Sequence, residues 1–138
     1  MIARLCKQAL LLAALALIPA FVSGAIQLRA NPQKPLQPGE IRAATVRQWG
    51  PQVLFVDARP IERFEAGHIP TAVRLTAREW DALVPKFLDA WEPDKVVVVY
   101  CEGGTCDTSR EIAERIKKEL QIQTVYYLQG GYPAWRQK

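Results

Sequence analysis

Cys101 stands where a chain can make a thiol reactive. It follows the apolar run Val96-Val97-Val98-Val99-Tyr100 and opens the loop Glu102-Gly103-Gly104-Thr105-Cys106-Asp107, after which a helical pattern begins. A strand of this kind delivers the thiol to the edge of a sheet, and the helix turns its N-terminus back toward it. Unpaired N–H groups and partial positive charge at a helix N-terminus stabilise an anion, and a thiolate is an anion. The placement suits a nucleophile that attacks or carries something negatively charged.

The other reactive side chains leave more open. Cys106, five residues after Cys101, admits three readings: a resolving thiol that attacks an oxidised or sulfurated Cys101, a static disulfide partner, or a loop residue without a role. His68 is the sole histidine. It could form a Cys–His pair, but a turn residue whose ring bonds the backbone is the better reading. Two thiols and one distant imidazole fall short of the four ligands of a structural zinc site. Asp57 and Arg59 leave an apolar run together and read as a charged pair that fixes loops near the thiol. Arg110 is either a solvated helix residue or the only cation near it.

The elements that position these residues alternate between strand and helix. Val53-Leu54-Phe55-Val56 and Val96 to Tyr100 are continuous apolar runs, as in strands covered on both faces. Val73-Arg74-Leu75 and Thr124 to Leu128 are further strands. Helices are expected over Glu40 to Trp49, stopped by Gly50-Pro51, and in a short turn through Ile61-Phe64-Glu65 ended by Gly67. A third is expected over Ala77 to Trp91, with Pro85 kinking or splitting it. A fourth begins at a Thr108/Glu111 capping box with Ile112, Ala113, Ile116 and Leu120 on its apolar face. The stripe Trp80, Leu83, Val84, Phe87, Leu88 and Trp91 reads as core. Such alternation gives an α/β fold, a parallel sheet flanked by helices, with ligands bound at the carboxyl ends of the strands. Asp57, Arg59 and Cys101 all fall there.

The ends of the chain carry other information. Arg4 and Lys7 precede an apolar stretch from Ala9 to Val22, the pattern of a cleaved signal or a retained membrane anchor over residues 1–28. Residues 29–39, with Pro32, Pro35 and Pro38, read as a stiff linker to a domain over 40–138. The domain is expected outside the cytoplasm, periplasmic or anchored at the inner membrane. There Cys101 and Cys106 could pair. The formal net charge of +4 includes two from Arg4 and Lys7. The remaining charge is small and scattered, which argues against a nucleic-acid partner.

Three segments together resemble a single-domain rhodanese. Val56-Asp57-Ala58-Arg59 with Gly67-His68-Ile69-Pro70-Thr71-Ala72 is similar to the family's Asp-x-Arg and Gly-His-Ile-Pro-Gly-Ala signature. Val98-Val99-Tyr100-Cys101 is similar to the strand that presents its sulfur-carrying cysteine. The run Val125 to Trp135, with Gly130-Gly131-Tyr132-Pro133-Ala134-Trp135, is similar to its closing Gly-Gly-x-x-x-Trp motif. The likeness runs in order from about Glu40 to the C-terminus.

The resemblance implies a sulfurtransferase that needs no metal and no organic cofactor. Cys101 would take sulfane sulfur from a small donor, hold it as a persulfide and pass it to a thiol or other nucleophilic acceptor. The backbone of Glu102, Gly103, Gly104, Thr105 and Cys106 would hold the anionic sulfur, with Asp57, Arg59 and Arg110 as further substrate-binding candidates and Ser109 assisting. A membrane protein is a candidate partner. Two departures stand out. Cys106 occupies the place where the family's loop carries an arginine, and Ser109-Arg110 come later, as in a longer loop. Glu102 and Asp107 add negative charge, so thiosulfate is expected to bind poorly. The alternatives are a thiol–disulfide protein using Cys101 and Cys106, and a non-catalytic binding module on the same scaffold. A phosphatase of this fold, which would need an arginine clamp, ranks last.

Overall fold

The computed structural model describes residues 34–104 and 107–137. The expected signal or anchor, residues 29–33 of the linker, and the loop residues Thr105 and Cys106 lie outside the described residues. No helix among the described residues is long and apolar enough to cross a membrane.

The strands are β1 (Glu40–Ile41), β2 (Val53–Asp57), β3 (Val73–Arg74), β4 (Val96–Tyr100) and β5 (Val125–Leu128). The helices are α1 (Ala43–Gln48), α2 (Ile61–Ala66), α3 (Trp80–Ala90), α4 (Asp107–Glu119) and α5 (Gly131–Arg136). All strand pairs are parallel, in the order β1-β5-β4-β2-β3. The expected α/β architecture is therefore the observed one.

Successive side chains of a strand face opposite ways, so a continuous apolar run must feed two cores. Leu54, Val56, Val97 and Val99 pack with Trp80 and Phe87 of α3 and Ile112, Ala113 and Ile116 of α4. Val53, Phe55, Val98 and Tyr100 face the other way, against Val46 of α1, Ile69, and Trp135 of α5. The central strands β2 and β4 are thus buried on both sides, and their register sets Asp57 opposite Tyr100. This pairing brings Asp57, Arg59 and Cys101 to one edge of the sheet.

Several boundaries differ from the sequence expectation. Glu40 and Ile41 are strand, not the start of a helix, because β5 recruits them as a partner. Tyr127 N–H donates to the Gly39 carbonyl (3.0 Å) and Gln129 N–H to that of Ile41 (2.8 Å). Gly50 and Pro51 do not simply stop α1; they begin a 3-10 turn over Gly50–Gln52. The helix expected from Ala77 starts at Trp80. Arg74 donates to the Glu79 carboxylate at 2.5 and 2.8 Å, and the Thr76 hydroxyl accepts from Glu79 N–H (3.3 Å), which holds the segment as a turn. Pro85 neither splits nor ends α3, which continues to Ala90. Leu88, placed in the core by the apolar stripe, is 43% exposed. Thr108 is not a cap, because α4 already includes Asp107. Strand β5 begins at Val125 and β3 ends at Arg74, each one residue inside the expected limit.

Candidate functional site

Cys101 leaves β4 almost fully buried, at 3% exposure. Its carbonyl accepts from Tyr132 N–H in the first turn of α5 (2.8 Å). Residue Gly131 makes this contact feasible. It has φ +59°, and a Cβ there would lie 2.5 Å from the Cys101 carbonyl oxygen and 2.7 Å from Gly103 N. Only glycine admits that approach and that backbone. Beyond Cys101 the chain turns through Gly103 (φ +110°) and Gly104 (φ +73°), both left-handed. The closing Gly-Gly segment and the cysteine loop are therefore packed backbone against backbone. The sulfur of Cys101 is engaged in a disulfide. Its partner lies outside the described residues.

Arg59 is the organising side chain next to this loop. It is 3% exposed and Asp57 is fully buried. Arg59 donates from Nε to Asp57 Oδ1 (2.9 Å) and from Nη2 to Oδ2 (2.7 Å), a bidentate pair. Nη2 also donates to the Gly67 carbonyl (2.7 Å). Burial opposes the Arg59 charge, but bonding to Asp57 and the Asp57 charge outweigh it and push the guanidinium pKa upward. The guanidinium lies 4.2 Å from the Tyr132 ring centre and 5.5 Å from that of Tyr100. Tyr100 in turn accepts from Ile69 N–H at its hydroxyl (3.1 Å). Two arms, Arg59 to Gly67 and Tyr100 to Ile69, thus lash the Gly67–Ile69 turn to the carboxyl ends of β2 and β4.

Of its two readings, Arg110 takes the first, a solvated helix residue, and other cations lie nearer the loop. Arg110 is half exposed and pairs with Asp107 on its own helix (2.8 Å). Arg59 Nη1 and Arg63 Nη1 are the cations facing Glu102, at 3.5 and 4.0 Å from its carboxylate oxygens. Ser109 is 2% exposed, inside the face of α4 that packs on the sheet. His68 matches the turn reading: its ring stacks on Phe64 at 3.8 Å and Nδ1 donates to the Phe64 carbonyl (2.9 Å). Among the described residues there is no group of histidine, cysteine and carboxylate side chains able to hold a metal ion.

An open cleft of about 490 Å³ adjoins the loop, lined by Arg59, Arg63, Glu102, Tyr132 and Arg136 among others. Sequence reasoning missed Arg63 and Arg136. Each is a lone arginine on a short helix, indistinguishable in sequence from a solvated charge.

A model of the rhodanese-like domain matches residues 41–138. Among curated proteins, the tRNA uridine(34) hydroxylase of Cronobacter sakazakii is 30% identical over 91 residues, 64% of this chain and 25% of that protein. That of Erwinia tasmaniensis is 32% identical over 84 residues, 59% of this chain and 23% of that protein. The chain spans about a quarter of the length of these relatives. Among solved structures, the BH2092 protein from Bacillus halodurans matches 86% of this chain and 80% of its own, with TM-score 0.58 and 23% identity. A rhodanese-like domain protein from Staphylococcus aureus matches 70% of this chain and 89% of its own, with TM-score 0.52 and 22% identity. At these identities the two structures establish the fold alone.

Proposed function

The chain belongs to the rhodanese-like domain family, and we propose that it works as a sulfurtransferase with Cys101 as the sulfur carrier. The observation that carries this reading is the seat of Cys101 at the carboxyl end of a central buried strand. Its loop is held from below by Gly131 and Tyr132 and flanked by the Arg59–Asp57 pair. In the reduced protein the Cys101 thiolate attacks the outer sulfur of a donor. The new bond joins Cys101 Sγ to that sulfur, the donor's own bond to it breaks, and the electron pair leaves with the donor remainder. A nucleophilic acceptor then attacks the outer sulfur of the persulfide and Cys101 Sγ departs as thiolate. Backbone N–H groups of the loop hold the anionic sulfur.

Glu102 beside the loop faces Arg59 and Arg63, so its charge does not set thiosulfate apart from polysulfide, each an inorganic dianion, and both are candidate donors. Action outside the cytoplasm is part of the proposal. It rests on the basic-then-apolar N-terminus, with which the disulfide geometry at Cys101 is compatible. The tRNA substrate in the relatives' name is not carried over, since the match covers a quarter of those proteins and the chain has no basic stripe.

The test is intact mass of the reduced protein after thiosulfate and, separately, polysulfide, followed by cyanide. A gain of one sulfur atom that cyanide removes, absent in Cys101→Ser, is the expected result. The disulfide on Cys101 favours a second reading, a thiol–disulfide protein. Cys106→Ser separates the two. Persulfide formation survives it under the first reading, and turnover is lost with it under the second.

A further inference from the structure

We propose that the cleft between α1, the Gly67–Ile69 turn and α5 is a binding site for a small organic oxyanion, a carboxylate or phosphate carried on an apolar body. The site goes beyond the sulfurtransferase reading and does not depend on it. Arg47 of α1, His68 and Ile69 of the turn, and Tyr132, Trp135 and Arg136 of α5 line the cleft. Its volume of about 410 Å³ lies in the range of small organic ligands.

The charge of the lining is one-sided. Two guanidiniums face the cleft and no carboxylate lines it. Among the described residues, the partners of Arg47 and Arg136 are carbonyls and aromatic rings. Like charges gathered on one concave surface build a positive potential that draws an anion. Guanidinium forks match the oxygens of a carboxylate or a phosphate.

The two arginines divide the work. Arg47 is fixed before any ligand arrives. Its Nη2 donates to the carbonyls of Trp135 and Gln137, the latter at 2.8 Å, and its guanidinium lies 4.8 Å from the Trp135 ring centre. Such preorganisation lowers the ordering cost of binding. The hydrogens on its Nε and Nη1 are donors that these two bonds leave unused. Arg136 is exposed and 5.9 Å from the Tyr132 ring, so it is free to adjust to the anion. His68 is not the anion's partner, because its Nδ1 already donates to the Phe64 carbonyl and its ring stacks on Phe64.

The apolar part of the lining sets the rest of the ligand. Ile69, Pro70 and the rings of Tyr132 and Trp135 make most of the remaining wall. A bare inorganic anion would leave that surface to water. An oxyanion on an apolar body covers it while its charge meets the guanidiniums.

The experiment titrates the full, isotope-labelled chain by heteronuclear NMR with 1-naphthoate, 1-naphthyl phosphate and the neutral 1-naphthamide. At least one of the two acids should give saturable shifts at the Ile69 amide and the Trp135 indole. It should bind more tightly than the amide, and added salt should narrow the difference. Arg47→Ala also releases the carbonyls at the end of α5, so Arg136→Gln is the deciding variant. It should weaken the acid about two- to fivefold, the range of an exposed charge pair, and leave the amide unchanged. Lys86→Ala, a loss of charge on an exposed position of α3, should alter neither. Equal affinity for acid and amide, shifts gathered away from Ile69 and Trp135, or no saturation by either acid would overturn the inference. Sulfur loading of Cys101, measured separately, stands or falls independently of it.

Discussion

The N–H of Tyr132 reaches the carbonyl of Cys101 at 2.8 Å across a gap that only a glycine at 131 leaves open. The last helix of the domain is therefore part of the seat of the reactive cysteine. Gly131→Ala should lose about 2–5 kcal/mol, combining a left-handed backbone penalty with overpacking against Cys101 and Gly103. Gly104 offers a control. It is also left-handed, at φ +73°, but a Cβ there meets nothing within 4 Å, so Gly104→Ala should lose only the backbone part, about 1–2 kcal/mol. Urea denaturation of the two variants checks the ranking; equal losses would mean the close approach carries no weight.

Asp57 and Arg59 form a buried pair whose members cannot be removed singly without harm. Asp57→Ala strands the Arg59 guanidinium at 3% exposure and should destabilise the protein by about 3–5 kcal/mol. The double variant Asp57→Ala/Arg59→Ala should lose less than the sum of the singles, with a coupling of about 0.5–3 kcal/mol. Simple additivity in a denaturant double-mutant cycle would contradict the pairing.

Phe87 and Leu88 are neighbours in one apolar stripe, and the fold treats them oppositely. Phe87 is fully buried and Leu88 is 43% exposed. Phe87→Ala should lose about 3–5 kcal/mol, whereas Leu88→Ala should stay within about 0.5 kcal/mol. Thermal melts of the two variants decide the matter, and similar shifts would place Leu88 in the core after all.

The contrast shows where the chain is readable. β2 and β4 announce themselves as continuous apolar runs because both faces of each are covered. The thiol at the end of β4 and the charged pair after β2 follow from the same runs. β1 is silent because two residues carry no periodicity, and only the open edge of β5 makes them a strand. Trp80 as the first residue of α3 is equally hidden, since the Arg74–Glu79 bridge across five positions joins the end of β3 to the residue before the helix. The cationic cleft is the largest omission. Arg63 and Arg136 sit 73 positions apart on different helices, and nothing local to either marks it as lining the cleft.

Tyr100 makes the stability of the domain sensitive to alkali. Its ring is fully buried. That burial, reinforced by the Asp57 charge and only partly relieved by the Ile69 N–H, raises its pKa above the ordinary tyrosine value. The unfolded chain then releases this proton near pH 10 while the folded protein still holds it. The unfolded state binds fewer protons in that window, so stability falls as pH rises, by at most about 1.4 kcal/mol per pH unit for this group. The contribution is fully present below about pH 10 and is lost progressively above it. Tyr100→Phe keeps the ring but leaves Ile69 N–H without its acceptor, so at neutral pH the variant should be less stable by about 1–3 kcal/mol. It lacks the titrating proton, and its deficit should therefore shrink as pH climbs past 10. Tyr127, also shifted upward by burial, titrates alike in both proteins and cancels in the comparison. Urea midpoints of the two proteins from neutral to strongly alkaline pH would show the curves converging; parallel curves would mean that Tyr100 is not held neutral by the fold.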